Sequence, residues 1–260
     1  MRIDKYLALG GYAKSREAAQ QLLRSGSVLI GGKPVAKPSF EIDETDPPEI
    51  ELIGETLRYV SRGGLKLEHA LDRFGVDVRG LDAVDIGAST GGFTDCLLQR
   101  GANHVRAVDV GRSQLDAGLA ADPRVESFEG MNARYLQPED IGGQCELVVC
   151  DVSFISLTLI FPAVRRLLLP EGRFIALIKP QFEAGRANIG KNGIVKDRNV
   201  HIEVIRRVLA EAELNRLYCF GLTASPIEGG DGNREYLAGF DSVGGFDAGR
   251  IAPIAFGTDE

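Results

Sequence analysis

The chain has 260 residues, of which 44% are hydrophobic and 26% are charged, and its formal net charge is −7. That length accommodates one sizeable α/β domain together with a small additional domain. The longest uncharged apolar stretch, residues 153–164, is shorter than the roughly 18 residues of a membrane-spanning helix and contains Pro162. The N-terminus is charged and has no apolar segment of the kind that marks a signal peptide. We therefore expect a soluble, cytoplasmic protein.

The first forty residues predict a small basic module made of two helices and a hairpin. Apolar periodicity indicates helices over residues 3–9 and 16–24, with Ser15 as the N-cap of the second, and residues 27–35 form a short hairpin. The module carries seven Lys and Arg residues against two acids, whereas residues 41–55 carry seven acids and no base. A basic block followed by an acidic one predicts a small face that binds a polyanion; the alternative is an ordinary mixed surface.

The remainder of the chain predicts a Rossmann-like α/β sheet with helices on both faces. A helix over residues 64–74 follows an acidic segment that contains a strand at residues 49–52. From Leu81 onward strands and helices alternate, and the last two strands fall at residues 217–222 and 234–240. The predicted divisions are a small N-terminal domain at 1–57, a linker at 58–62, the main domain at 63–243 and a C-terminal tail at 244–260.

The most informative segment is a glycine-rich turn between the first strand and the next helix of the main domain. Residues 83–86 form a buried strand, residues 87–92 are Gly-Ala-Ser-Thr-Gly-Gly, and Phe93 opens a helix. A second strand over residues 104–110 contains Asp109 near its end, where a carboxylate binds ribose hydroxyls. A strand, a glycine-rich turn and a helix N-terminus bring backbone close to a nucleotide, so this arrangement predicts an adenosine-type cofactor.

Three types of site compete for this turn. A dinucleotide site prefers Gly-x-Gly-x-x-Gly, which the turn lacks. Residues 87–91 match the Gly-x-Ser-x-Gly nucleophile elbow of a hydrolase, with Ser89 as nucleophile, but an elbow needs a sheet upstream and only a small module precedes it. Asp85, at the strand end before Gly87, favours S-adenosylmethionine, because a carboxylate attracts the ammonium group of that cofactor and repels a pyrophosphate. S-adenosylmethionine is therefore the predicted cofactor.

Four charged residues outside the turn are candidates for chemistry. Asp151 and Lys179 each end an apolar strand, at the edge where open α/β sheets bind their ligands. A lysine that closes a buried strand is unusual, because desolvation disfavours its charge. Lys66 lies on the helix that leads into the main domain, and Glu235 follows a glycine-rich loop. Each also has a structural explanation: Asp151 can cap a helix, and Lys66 can be a solvated surface residue.

Taken together, these segments resemble the TlyA family of ribosomal RNA 2′-O-methyltransferases, also called the haemolysin A family. The N-terminal module is similar to an S4-type RNA-binding domain, through Arg-Ile-Asp-Lys-Tyr-Leu at its start and Gly-x-Val-x-Ile-x-Gly-Lys in its hairpin. The similarity extends to about residue 240, and the last twenty residues match nothing in the family. The stretches that carry it in the main domain are 61–67 (Ser-Arg-Gly-Gly-Leu-Lys-Leu), 85–93, 150–156 (Cys-Asp-Val-Ser-Phe-Ile-Ser), 179–183 (Lys-Pro-Gln-Phe-Glu) and 232–236 (Gly-Asn-Arg-Glu-Tyr).

The resemblance implies a catalytic tetrad and two sets of binding residues. The Lys-Asp-Lys-Glu tetrad of FtsJ-type methyltransferases corresponds to Lys66, Asp151, Lys179 and Glu235. In this interpretation Lys179 is the general base that removes the proton of a ribose hydroxyl. The residues implied around S-adenosyl-L-methionine are Asp85, Gly87, Ser89, Gly91, Gly92 and Phe93 near its methionine part, Asp109 near its ribose and Asn132 near its adenine. The residues implied in RNA binding are Arg2, Lys5, Lys14, Arg16, Arg24, Lys33 and Lys37.

The resemblance also implies a partner, namely ribosomal RNA or ribosomal subunits, with no metal and no membrane. The expected target is a cytidine of the large-subunit RNA, with a second in the small-subunit RNA as a further candidate. Because the chain starts directly at its first helix, as shorter family members do, we expect the large subunit. One alternative is a membrane-active haemolysin, for which the sequence offers no strongly amphipathic basic helix. The other is an RNA-binding protein whose methyltransferase domain is inactive.

Overall fold

The structure, a computed structural model, describes residues 1–13, 15–24, 27–44, 47–52, 58–190, 193–229 and 232–258, without the side chains of Gln21 and Arg24. Lys14 and the side chain of Arg24, both predicted to bind RNA, therefore lie outside the described residues. The chain forms two compact units, Met1–Arg58 and Tyr59–Glu260. The described residues of each unit form a hydrophobic core of their own.

The described residues of the smaller unit form two helices and a three-stranded antiparallel sheet. Its elements are α1 (Ile3–Leu9), α2 (Arg16–Arg24), β1 (Val28–Ile30), β2 (Lys33–Pro34) and β3 (Ile50–Leu52), with β1 in the centre of the sheet. Core residues are spaced four apart on each helix, so that they face the same side. They are Ile3, Leu7, Ala19 and Leu23, together with Val28 of the sheet. The predicted helices and hairpin are confirmed.

The larger unit is built on a seven-stranded sheet. Its strands are β4 (Asp82–Ile86), β5 (His104–Asp109), β6 (Val125–Glu129), β7 (Cys145–Cys150), β8 (Leu168–Ile178), β9 (Tyr218–Ala224) and β10 (Tyr236–Asp241). Its helices are α3 (Gly63–Phe74), α4 (Gly92–Gln99), α5 (Ala117–Ala120), α6 (Phe161–Leu167), α7 (Pro180–Glu183), α8 (Arg198–Leu214) and α9 (Ile251–Phe256). The strand order is β6-β5-β4-β7-β8-β10-β9.

The direction of the strands determines which residues meet at one edge of the sheet. Strands β4 to β8 pair in parallel, so their carboxyl ends lie on the same edge. Strand β10 is antiparallel to β8, and Tyr236 at its start pairs with Ile178 at the end of β8. The residue before β10, Glu235, is therefore brought to the edge where the parallel strands end.

Helices cover both faces of this sheet, as predicted. Alternate residues of each strand point to opposite faces, so Val84 joins one core cluster and Ala83 the other. Helices α6, α8 and α9 contribute to the first cluster, and α3 and α4 to the second. The segment predicted to be a C-terminal tail, residues 244–260, contains α9. Its Ile251 and Ile254 are buried in the first cluster. Within the described ranges, none of the helices is long and apolar enough to cross a membrane.

Candidate active site

Lys179 and Asp151 form an ion pair at the carboxyl edge of the sheet. Asp151 follows β7 and Lys179 follows the neighbouring strand β8, so parallel pairing brings the two residues side by side. Lys179 Nζ lies 2.6 Å from Asp151 Oδ1 and donates a hydrogen bond of 2.8 Å to Ser153 Oγ. The lysine side chain is only 11% exposed, so these oxygens replace much of its hydration. In its neutral form, an amine held at this edge can accept the proton of a substrate hydroxyl.

Lys66 and Glu235 form a second ion pair, which is more deeply buried. Lys66 lies on α3, and its Nζ is 2.5 Å from Glu235 Oε2. The other carboxylate oxygen, Oε1, accepts a hydrogen bond of 3.0 Å from Gln181 Nε2. Gln181 lies on α7, which begins immediately after Lys179, so one short segment carries Lys179 of the first pair and contacts the second. The four residues of the predicted tetrad thus form two ion pairs.

The glycine-rich turn after β4 packs against the segment that carries Asp151. Gly87 has a φ of +82°, and a Cβ at this position would lie 2.7 Å from the backbone oxygen of Asp151. A Cβ on Gly91 would overlap the side chain of Leu119, and one on Gly92 would overlap Ser61 Oγ. These glycines are therefore required by close contacts within the protein itself.

Asp109 connects this turn to the loop that follows β5. Its Oδ2 accepts a hydrogen bond of 2.8 Å from the backbone N–H of Ser89, and its Oδ1 accepts one of 2.7 Å from the N–H of Gly111. Ser89 is exposed and has a φ of +48°. Each carboxylate oxygen has a second lone pair, so the half-buried Asp109 can also accept hydrogen bonds from ribose hydroxyls.

Asp85 is a fully buried carboxylate with one unsatisfied oxygen. Its Oδ2 accepts a hydrogen bond of 2.7 Å from Thr94 Oγ1, whereas its Oδ1 has no hydrogen-bond partner among the described residues. Burial raises the pKa of Asp85 from 3.8 to about 7, and the negative charge of Asp151 adds to that effect. A cation beside Oδ1 would compensate the buried charge. The ammonium group of S-adenosylmethionine is such a cation, so this residue fits that cofactor.

Phe93 and Asn132 differ in how accessible they are. The Phe93 side chain is 2% exposed and packs into the core, and its contact with the cofactor stays a prediction. Asn132 is exposed after β6, and its Oδ1 accepts a hydrogen bond of 3.1 Å from the N–H of Arg134. The N–H of Met131 donates to the carbonyl of Asp109, which places Asn132 close to the end of β5.

Sequence reasoning gave no role to Ser153 and Gln181, the polar partners of the two ion pairs. Both residues lie inside stretches that carry the family resemblance, at 150–156 and 179–183. Their positions were therefore visible in the sequence. Their hydrogen-bond partners could not be predicted from the sequence. Gln181, for example, contacts Glu235 because β8 pairs with β10.

In the smaller unit, two of the predicted RNA-binding residues surround a buried acid. Asp4 is fully buried, and its carboxylate accepts hydrogen bonds from Arg2, Arg16 and Gln20. Burial by itself raises the pKa of the Asp4 carboxyl, but these hydrogen bonds outweigh it and hold the pKa well below its usual range. The negative charge of Asp4 thus partly compensates the positive charge of both arginines. The other described members of the predicted set, Lys5, Lys33 and Lys37, are exposed.

Two protein families match the two units. The S4 domain family matches residues 1–47, and the FtsJ-like methyltransferase family matches residues 59–242. The second match covers most of the chain and includes both ion pairs and the glycine-rich turn.

Individual relatives are similar over nearly the full length. A Bacillus subtilis protein provisionally named rRNA methyltransferase YqxC is 48% identical, over 91% of this chain and 84% of its own. The 16S/23S rRNA (cytidine-2′-O)-methyltransferase TlyA of Mycobacterium tuberculosis is 42% identical, over 91% of this chain and 88% of its own. A solved Streptococcus thermophilus structure, provisionally named a hemolysin, is 44% identical with a TM-score of 0.80 and covers 99% of this chain and 95% of its own.

Proposed function

The chain belongs to the TlyA family of FtsJ-like methyltransferases, and we propose that it transfers a methyl group to the 2′-hydroxyl of a ribose in ribosomal RNA. The observation that carries this proposal is the presence of two ion pairs, Lys179 with Asp151 and Lys66 with Glu235, on the sheet edge beside the glycine-rich turn. Proton removal from a weakly acidic hydroxyl requires a base held in place by a partner, and this arrangement provides both.

Lys179 is the proposed general base. A ribose hydroxyl is a weak nucleophile, so its proton must leave as its oxygen attacks. Neutral Lys179 accepts that proton at Nζ, and Asp151, at 2.6 Å, stabilises the ammonium group that results. Glu235 holds Lys66 Nζ in a fixed position, from which the Lys66 ammonium can stabilise negative charge that develops on the ribose oxygen.

S-adenosyl-L-methionine is the proposed methyl donor. When bound, it supplies an electrophilic methyl group. Asp85 Oδ1 would bind its ammonium group, Asp109 its ribose hydroxyls and Asn132 its adenine, while the backbone of residues 87–92 would line its methionine part. The unsatisfied buried oxygen of Asp85 supports this assignment, because a buried carboxylate without a cationic partner is unfavourable.

The proposed substrate is a cytidine of ribosomal RNA, within a ribosomal subunit or its precursor. The S4 domain match and the exposed lysines Lys5, Lys33 and Lys37 support an RNA partner, since Lys side chains neutralise phosphates. The relatives named as rRNA (cytidine-2′-O)-methyltransferases support the choice of nucleoside. A ribosomal substrate in turn supports a cytoplasmic location.

Replacement of Lys179 tests the chemistry directly. Lys179→Ala leaves the affinities for S-adenosylmethionine and RNA nearly unchanged, because the lysine contributes in the transition state rather than in the ground state. The single-turnover rate of methyl transfer falls by at least ~100-fold, the usual scale for losing a positioned base. Mapping 2′-O-methyl groups on both ribosomal RNAs, with and without the wild-type protein, identifies the target nucleotide.

Two further variants complete this test. Lys179→Arg does not restore the rate, because arginine stays charged and cannot accept a proton. Lys196→Ala, which removes an exposed lysine of the same unit, keeps the wild-type rate at saturating RNA. An active Lys179→Arg enzyme would overturn the base assignment, and a wild-type protein that leaves no 2′-O-methyl group on ribosomal RNA would overturn the proposed function.

A further inference from the structure

Glu183 is a buried carboxylate that joins the two segments carrying Lys179 and Asp151. It ends α7, the helix that begins directly after Lys179, and is 7% exposed. Its Oε2 accepts a hydrogen bond of 2.7 Å from Ser156 Oγ, and its Oε1 accepts one of 2.7 Å from the backbone N–H of Leu157. Ser156 and Leu157 lie on the segment that continues from Asp151. Glu183 therefore fastens the chain beyond β8 to the chain beyond β7.

The environment of Glu183 provides hydrogen-bond donors for a buried carboxylate. Each carboxylate oxygen has a close donor, which is the condition for burying a carboxylate at low cost. Arg207 of α8 adds a cation, with Nη2 3.7 Å from Oε2, and the same guanidinium donates to the backbone carbonyl of Glu183. Helix α8 packs on the sheet, so the link between the two segments is anchored to the body of the unit.

Strand pairing alone does not hold the Lys179 and Asp151 side chains together. The ladder between β7 and β8 ends at Cys150 and Ala176, before either residue is reached. Beyond that point Glu183 provides hydrogen bonds between the two segments, in addition to the contacts of Lys179 itself and to the Phe154 and Phe182 rings, whose centroids are 5.0 Å apart.

From these contacts we infer that Glu183 is a positioning residue for the proposed general base: it fixes the segment of Lys179 against the segment of Asp151, so that Nζ stays where it can take the proton. The inference rests on the proposed function. A misplacement of about 1 Å at a reacting group can cost on the order of 100-fold in rate, so a fixed segment matters for catalysis as well as for stability.

The test compares two substitutions of Glu183. Glu183→Gln keeps the side-chain shape and can retain both contacts, with the amide oxygen accepting from Leu157 and the amide nitrogen donating to Ser156. It is expected to retain a rate within about threefold of wild type. Glu183→Ala removes both contacts, and kcat is expected to fall about 100-fold while KM for S-adenosylmethionine and RNA changes less than about threefold. Ser156→Ala, which removes one contact, falls between them.

A double substitution distinguishes positioning from a general structural role. In the Lys179→Ala background, Glu183→Ala is expected to cause no further loss of rate, because a residue that acts through Lys179 has nothing left to position. A further loss as large as in the wild-type background would overturn the inference, and so would a Glu183→Ala enzyme with wild-type kcat.

A second measurement does not depend on activity. The side-chain nitrogen signal of Lys179, assigned in ¹⁵N-lysine NMR spectra by its absence from Lys179→Arg, is expected to shift in Glu183→Ala and to stay in place in Glu183→Gln. An unchanged signal in a folded Glu183→Ala protein rejects the positioning role even if the wild type methylates RNA. If the signal shifts but the wild type leaves no 2′-O-methyl group, the proposed function fails while the link between the two segments stands.

Discussion

Asp85 and Asp109 lie at the ends of the neighbouring strands β4 and β5. They differ in burial and in the hydrogen bonds that they accept. Asp109 is half-buried and receives two backbone N–H groups. Asp85 is fully buried, and its Oδ2 accepts a hydrogen bond from the Thr94 hydroxyl, while its Oδ1 has no partner in the described part of the chain. Burial raises the pKa of this carboxyl to about 7. The sequence predicts that both acids lie beside a cofactor. The difference in burial depends on what packs over each strand end, and only the structure supplies it.

The raised pKa of Asp85 makes the stability of the free protein depend on pH. Between about pH 4 and pH 7 the native state keeps a proton on Asp85 that the unfolded state has released, so the free energy of unfolding decreases as pH rises across this range. The shift corresponds to a decrease of up to about 4 kcal/mol, as an upper bound. Asp85→Asn is expected to remove this contribution, which urea unfolding at several pH values measures as a flatter pH profile.

Thr94→Val serves as the matched variant for this prediction. It preserves the shape of Thr94 and removes the hydrogen bond that lowers the pKa of Asp85, so the decrease in stability is expected to extend to higher pH than in wild type. Parallel pH profiles for wild type and Asp85→Asn would show that Asp85 is ionised at the same pH in both states.

At the level of elements, helices and strands with strong hydrophobic periodicity were predicted well. Elements that form because of tertiary packing were predicted poorly. The helix expected at 64–74 is α3 (Gly63–Phe74), and the strand expected at 83–86 is β4 (Asp82–Ile86). Helix α9 was not predicted, because its six residues, which include Pro253, show no clear hydrophobic periodicity. Its last carbonyls accept hydrogen bonds from Arg234 and Arg198, contacts that exist only after folding.

The candidate site shows the same limit. Asp151 and Lys179 could be placed at one edge because both follow predicted parallel strands. No local pattern predicts the pairing of Lys66 with Glu235, because the two are 169 residues apart and meet through the antiparallel insertion of β10 beside β8. The sequence also did not predict that the glycines let the turn approach the Asp151 segment. That contact joins distant parts of the chain and has no local sequence signal.

Gly87, in the glycine-rich turn, and Gly142, in the loop before β7, show two different reasons for a glycine with positive φ. Both have a φ of +82°, but a Cβ on Gly87 would lie 2.7 Å from the oxygen of Asp151, whereas a Cβ on Gly142 would meet nothing within 4 Å. Gly142→Ala is expected to cost only the backbone strain, about 1 to 2 kcal/mol in the free energy of unfolding. Gly87→Ala is expected to cost more and to lower methyl transfer by about 100-fold, because it displaces Asp151. Equal effects in unfolding and single-turnover assays would contradict the close-contact explanation.

At the scale of the whole molecule, the proposed function assigns RNA binding and catalysis to different units. The net charge of −7 conceals a basic N-terminal segment, and the proposed cofactor and catalytic residues all belong to Tyr59–Glu260. Within the smaller unit, the exposed lysines and the arginines around Asp4 have different positions, so their replacement has different consequences. The lysines can be removed without disturbing a buried group, whereas loss of Arg16 leaves the buried Asp4 carboxylate with fewer donors.

Joint replacement of Lys33 and Lys37 by alanine is therefore the sharper test of RNA capture. We expect weaker binding to ribosomal RNA and a salt dependence reduced by about 1 to 2 in log–log slope, because fewer counterions are released. Thermal stability and S-adenosylmethionine affinity, measured by calorimetry, are expected to stay at wild-type values. Arg16→Ala is expected to weaken RNA binding and also to lower thermal stability, since Asp4 stays buried and loses a charged partner. If removal of Lys33 and Lys37 lowered cofactor affinity in step with RNA affinity, RNA binding and cofactor binding would not be separate properties of the two units.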